Sequence, residues 1–324
     1  MMELICCDYC GSSDAFPIAR QTDKLHGTTT EMFSIVRCSN CGLRYTNPRP
    51  TSQEIGKYYA ETYSFHARSS VVRTWIRKWL KFLANSPFGV IVAAIPGLGR
   101  RLIPHISPSF PDPVRQYYAS GKQGGLLDIG CGAGQSAHYW GAQGALQAYQ
   151  RIAPVAGVEI SEPARRILGE LAIESWSDID EVPADARFGV IRMNWSLEHV
   201  HSPTRYFEFM RTHILPHGLV IITVPNAEGI IYRLAPDCVE LPIHLYHFSR
   251  GDIEHYAARH RFNVKSFATF SYPGMFLAAC DAGLFPRFMS ESPSYAEAKE
   301  LQRVLSRFDK LEFGNDMMFI LSPN

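Results

Sequence analysis

From about residue 121 onward, short apolar runs alternate with stretches of helical period. Six runs read as strands: "GLLDIG" (125–130), "PVAGVEI" (154–160), "RFGVIRMN" (187–194), "GLVIITV" (218–224), "FNVKSFATF" (262–270) and "DMMFILS" (316–322). Between them, "PTRYFEFMRTHIL" (203–215) and "SRGDIEHYAARH" (249–260) read as helices, the second opening on Ser249 and Asp252 at capping-box spacing. Alternation of this kind predicts an α/β domain, doubly wound, with a mostly parallel sheet covered on both faces. Upstream the pattern changes. "VVRTWIRKWLKFL" (71–83) sets Val72, Trp75, Ile76, Trp79 and Leu83 at helical spacing, with Arg73, Arg77, Lys78 and Lys81 elsewhere around the wheel. Three zones follow: 1–46, rich in cysteine and turn residues; 47–120, a helical cap or linker; and 121–324, the main domain.

Composition narrows the function. The 324 residues are 46% hydrophobic and 19% charged with a net charge of +1, a balance that argues against a dedicated nucleic-acid binder. The start, "MMELICCDYCGSSD", has no basic stretch leading into an apolar one, and the longest apolar run, "FGVIVAAIPGL" (88–98), contains Pro96. That run is about half the ~20 residues a membrane span needs, so the expected address is cytoplasmic.

Five of the eight cysteines fall in the first 41 residues. "CDYCG" (7–11) and "CSNCG" (38–42) place Cys7, Cys10, Cys38 and Cys41 as two C-x2-C pairs, each followed by glycine. In a reducing compartment this predicts two knuckles offering four thiolates to one tetrahedral Zn2+. A site closed by four thiolates keeps no open position, so the zinc is expected to be structural.

"LLDIGCGAGQS" (126–136) ends a strand-like run in Asp128 and then a glycine turn. A dinucleotide loop needs G-x-G-x-x-G, whereas Gly130, Gly132 and Gly134 alternate and Gln135 stands where the third glycine belongs. What remains is a loop without side chains, suited to close backbone approach by a nucleoside whose small tail carries an ammonium and a carboxylate. Glu159 closes the next run, where an acid is placed to accept from both ribose hydroxyls.

"LLDIGCGAGQ", "VAGVEIS" and "FGVIRMNWSLEHVHSP" resemble the successive motifs of class I S-adenosylmethionine-dependent methyltransferases over roughly 121–324. The resemblance implies a seven-stranded Rossmann-like sheet and S-adenosyl-L-methionine as cofactor. It implies that Asp128, Gly130, Cys131, Gly132 and Gly134 line the methionine end and that Glu159 binds ribose. It places Asp178 near the adenine, and Asn194 and Trp195 beside the sulfonium. Gly189 departs from the family, which often has Asp there. The ribbon, "CGLRYTNPRP" and a Tyr-rich stretch resemble a subset of that superfamily acting on sugars and other small metabolites.

Methyl transfer needs an aligned acceptor relieved of a proton, and histidine is the natural base near neutral pH. "LEHVH" supplies Glu198, His199 and His201; "PIHLYHFS" supplies His244 and His247 after the fifth strand, where the resembling subset commonly has H-x-Y-H-F-S. His244 or His247 is the expected base or substrate anchor, with His199 next and structural roles open for all three. Tyr58, Tyr59 and Tyr63 either cover the cofactor or pack in a core. Residues 62–111 hold no acid and seven Lys or Arg, which fits a cap packed on the main domain or, through 71–103, a peripheral contact with an anionic membrane. The leading expectation is O- or C-methylation of a sugar or a glycan or secondary-metabolite precursor, lipid-linked glycans included. An RNA methyltransferase and a catalytically silent cofactor-fold protein stay open as alternatives.

Overall fold

The computed structural model describes residues 1–25, 27–59, 71–95, 97–108, 110–134, 145–281, 283–284 and 293–324. Tyr63 and Gln135 lie outside them.

The N-terminal strands are β1 (Met2–Glu3), β2 (Ala15–Gln21), β3 (Phe33–Cys38), β4 (Arg44–Thr46) and β5 (Arg49–Pro50). The main domain adds β6 (Gly125–Ile129), β7 (Val155–Val158), β8 (Glu174–Trp176), β9 (Phe188–Asn194) and β10 (Ile214–Pro225). It ends with β11 (Tyr246–His247), β12 (Phe262–Phe270) and β13 (Asp316–Pro323). Seven strands form the principal sheet in the order β12-β13-β10-β9-β6-β7-β8. Pairing is parallel from β8 through β10, while β13 runs antiparallel between β10 and β12. All six expected strands are in this sheet, and short β8 is the seventh.

Apolar runs make the central strands because a parallel sheet is covered on both faces. Six of the seven β9 residues are buried, and Leu126 and Leu127 of β6 are inaccessible. The chain reaches the β8 edge, then crosses back to place β9 on the other side of β6. That reversal opens a crevice at the carboxyl ends of β6 and β9. The helix after β9 spans Pro203–His213 under a Ser202 N-cap, and Ile214 already belongs to β10. The Ser249–Asp252 capping box forms as expected on Arg250–Arg259. Helices Pro273–Asp281 and Tyr295–Lys310 were not anticipated from the pattern.

The N-terminal sheet runs β11-β4-β3-β2, so its fourth strand comes from the main domain. Tyr246 pairs with Tyr45 and His247 with Arg44, and β1 pairs with β5. Upstream of the main domain, helix Val71–Asn85 packs Ala84 with Leu102, Ile103 and Ile106 against Tyr295 and Ala298 of the late helix. Tyr295 donates its hydroxyl to the Ala84 carbonyl (2.7 Å).

Candidate active site

The loop leaving β6 is built on left-handed backbone: φ is 76° at Gly130, 54° at Gly132 and 67° at Gly134. Two of these positions also forbid a side chain by contact. A Cβ at Gly130 would lie 2.5 Å from Ser196 Cβ, and one at Gly134 would lie 2.6 Å from Leu168 Cδ2. Glu159, at the carboxyl end of β7, is 5% exposed and ties the loop down. Its carboxylate accepts from Gly132 N (2.7 Å) and Ser161 N (2.8 Å). Loop and acid therefore meet at the crevice, as the spacing implied.

Asp128, 4% exposed, has a partner that sequence reasoning missed. Arg192 of β9 donates to it through Nε (3.0 Å) and a terminal nitrogen (2.5 Å) and lies 5.2 Å over the Tyr149 ring. Burial alone would lower the Arg192 pKa; the Asp128 charge more than offsets it and holds the guanidinium charged. A charged residue inside the apolar run "FGVIRMN" was the available signal. Gly189 is explained by crowding, since a Cβ there would lie 2.4 Å from the Gln123 carbonyl oxygen. Asp178 caps the turn Ile179–Glu181 and accepts from Arg205 (2.6 Å). Cys131 is buried beside Gly157, whose Cβ would meet its sulfur at 2.5 Å.

Asn194 and Trp195 close β9 at the crevice. Trp195 holds φ 49°, an unusual value for an aromatic residue, and strain of that kind is of order 1–3 kcal/mol. It is fixed by Trp195 N donating to the Thr223 carbonyl (2.7 Å) and Nε1 donating to Asp316 (2.8 Å). Asn194 Oδ1 is buried without a hydrogen-bond partner among the described residues. Burial raises Asp316 to about 7.

The two histidine motifs meet next to this end of the sheet. Glu198 is 1% exposed, and neither of its carboxylate oxygens has a hydrogen-bond partner among the described residues. The His199 and His244 rings stand edge to face, 4.7 Å apart. His199 Nδ1 lies 2.9 Å from the Ile243 carbonyl and 3.4 Å from the Tyr59 hydroxyl, and His244 Nε2 lies 3.7 Å from Glu240. Glu240, four residues before His244, was not anticipated. His247 faces Thr46 Oγ1 (3.2 Å) on the seam with the N-terminal sheet, and His201 faces the Pro50 carbonyl (3.1 Å). Burial, reinforced by His244, pushes His199 and His247 down to about 3, so both rings are neutral; burial drives Glu198 well above the usual carboxylate range. Tyr58 instead packs on Phe33 and donates to Glu31 (2.9 Å).

The sulfurs of Cys7, Cys10, Cys38 and Cys41 lie within 4.8 Å of one another, with Cys7–Cys41 and Cys10–Cys38 each at 3.4 Å. The two knuckles repeat one turn. Gly11 N donates to the Cys7 carbonyl and Gly42 N to that of Cys38, both glycines at positive φ. The donor set fits a tetrahedral thiolate site. Asp8, inside the first knuckle, accepts from Ser202 Oγ (2.7 Å), Thr204 N (2.9 Å) and the Tyr256 hydroxyl (2.8 Å). The N-terminal sheet is thereby fastened to the helix that follows the Glu198–His199 turn.

A family model described as a methyltransferase domain matches residues 105–266, half of the chain. No curated protein matches. Among solved structures, the chain is similar to a putative methyltransferase in complex with the Trm112 methyltransferase activator from Haloferax volcanii. That match has 12% identity, covers 65% of this chain and 87% of that one, and has a TM-score of 0.44. It is also similar to an S-adenosylmethionine-dependent methyltransferase from Mesorhizobium loti (15% identity, 64% and 95% covered, TM-score 0.42). A third is an O-methyltransferase from a polyketide synthase multienzyme of Brevibacillus brevis, in complex with S-adenosyl-L-homocysteine (13% identity, 75% and 79% covered, TM-score 0.40).

Proposed function

Since the chain belongs to the methyltransferase-domain family, we propose that it moves a methyl group from S-adenosyl-L-methionine to a small molecule. The observation that carries this is the glycine loop meeting the buried acid Glu159 at the point where strand order reverses. The cofactor supplies a methyl already activated on a sulfonium. Glu159 would take the ribose hydroxyls, and the loop N–H groups a carboxylate. Asn194 Oδ1, buried without a partner among the described residues, is an acceptor suited to an ammonium. Asp128 would act through Arg192, since its charge is already matched. Asp178 remains the candidate for the adenine side, and Trp195 for the sulfonium.

The acceptor would enter beside Glu198, His199 and His244, and would be oriented and relieved of its proton there. His247, bonded to Thr46 across the seam, would hold that wall in place. A cluster of buried histidine, carboxylate and aromatic groups favours a sugar or related metabolite, methylated on oxygen or carbon. RNA would call for a basic surface, which the net charge of +1 does not supply. Zn2+ on Cys7, Cys10, Cys38 and Cys41 would be structural.

The chain would act in the cytoplasm, held peripherally at a membrane surface. No helix among the described residues is long and apolar enough to cross one. A second observation bears on the membrane contact. Trp75, Trp79, Phe82, Phe88 and Ile91 are 48–69% exposed, beside Arg77, Lys78 and Lys81. That combination suits an anionic lipid surface and hence a lipid-linked acceptor. Transfer of labelled methyl from S-adenosyl-L-methionine to nucleotide sugars, lipid-linked glycans and RNA tests the reading. Label in a sugar-bearing acceptor supports it, and label in RNA alone overturns the choice of acceptor.

A further inference from the structure

Glu198 poses a problem that hydrogen bonding does not solve. Its carboxylate is buried and neither oxygen has a partner among the described residues, whereas Asp128 and Glu159 are each bonded twice. A buried carboxylate without partners is costly unless it is protonated or meets a cation. Two imidazoles adjoin it. His199 Nε2 lies 3.9 Å from Glu198 Oε1, and one ligand atom from each of Glu198, His199 and His244 falls within 4.8 Å of the other two. Donors bound at ~2.1 Å around one ion are separated by about 3–4 Å, so small side-chain rotations suffice.

The surroundings are those of a ligand set. A carbonyl oxygen only accepts, so the contact of His199 Nδ1 with Ile243 puts the proton on Nδ1 and leaves the lone pair on Nε2, toward Glu198. The backbone is pinned at His244, whose N donates to the Glu240 carbonyl (2.8 Å), and at the residue after it. Leu245 N donates to the Glu198 carbonyl (2.8 Å), and Thr46 N donates to that of Leu245 (2.9 Å).

We propose that Glu198, His199 and His244 form a binding site for a divalent first-row transition-metal ion, distinct from the four-cysteine site. Two imidazoles and one carboxylate suit Zn2+, Fe2+ or Co2+ better than Mg2+ or Ca2+, which prefer all-oxygen sets. Three protein ligands leave a position open, unlike the closed ribbon site. Resting on the methyl-transfer reading, an acceptor hydroxyl on that position would release its proton to solvent water near neutral pH without a strong base.

The test loads the full-length chain with Co2+, removes excess, and counts cobalt per chain in the wild type and in Glu198→Gln. The variant is expected to hold one equivalent fewer, and wild-type spectra to show weak nitrogen–oxygen-ligated cobalt bands beside intense thiolate charge-transfer bands. Equal cobalt counts, or a wild-type spectrum of thiolate bands alone, overturn the site. Should Glu198→Gln not fold, His244→Gln is counted the same way, with the wild-type spectrum still decisive. Titrating the same full-length protein with S-adenosyl-L-homocysteine keeps the two readings apart. Cofactor binding without a second cobalt sinks the metal site alone, and a second cobalt without cofactor binding sinks the methyl-transfer reading alone.

Discussion

Two ends of one crevice treat buried charge in opposite ways. At the β6–β7 end the acids are satisfied by the protein itself: Asp128 by Arg192, and Glu159 by two backbone N–H groups. At the β9–β13 end, Glu198, Asn194 Oδ1 and Asp316 Oδ2 are buried with no hydrogen-bond partner among the described residues. Buried polar groups are normally paired, so the contrast separates an end whose acids are paired within the protein from one that, on the reading proposed above, is completed by acceptor and metal.

The strongest challenge to that contrast is to unpair the satisfied end. Arg192→Leu leaves Asp128 buried and uncompensated and should destabilise the chain by about 3–5 kcal/mol in denaturant unfolding. A loss below about 1 kcal/mol would mean that the pair is not the organising element there. At the other end, His244→Ala should lower kcat at least about a hundredfold with cofactor affinity little changed. If affinity and thermal stability fall together while turnover per folded molecule holds, the histidine end is only scaffolding.

Removing the Glu159 carboxylate sharpens the comparison from within the organised end. Glu159→Ala should weaken S-adenosyl-L-methionine binding by roughly tenfold or more in calorimetry, since charged hydrogen bonds contribute about 1.5–3 kcal/mol. Unchanged affinity in a folded mutant removes Glu159 from the site.

The smallest effect is a slope. Asp316 stands at about 7 in the folded chain against an ordinary 3.8, so between those values the native state holds a proton that the unfolded state has released. Its contribution to stability is therefore fully present below about 4 and is lost as pH rises through 7, by at most about 1.4 kcal/mol per pH unit. Asp316→Asn should flatten the fall in melting temperature over that window. An unaltered pH profile would mean that Asp316 is not held protonated.

Much of the fold was legible because burial writes itself into period. The strand runs, the Ser249–Asp252 box and the paired cysteines are all local patterns, and each appears where its spacing put it. What the sequence left unread depends on which distant element lies alongside. Nothing near Arg192 says that Asp128 is its neighbour, because register across β6 and β9 is set by the whole sheet. Glu240 and His244 are visible as a pair at helical spacing, but the turn bearing Glu198 and His199 reaches them only through tertiary packing. The cysteine spacing likewise announces a four-thiolate cluster without announcing that the fourth strand of the sheet beside it is Tyr246–His247.

That borrowed strand has a consequence for how the chain is made. All four cysteines emerge from the ribosome early, yet the free edge of β4 stays open until Tyr246 and His247 have been synthesised. An open edge is a template for pairing with other chains. A part of the protein made before the main domain is thus finished only after much of that domain has been made. Nascent chains truncated before residue 246 should accordingly pair through β4, and full-length chains should not.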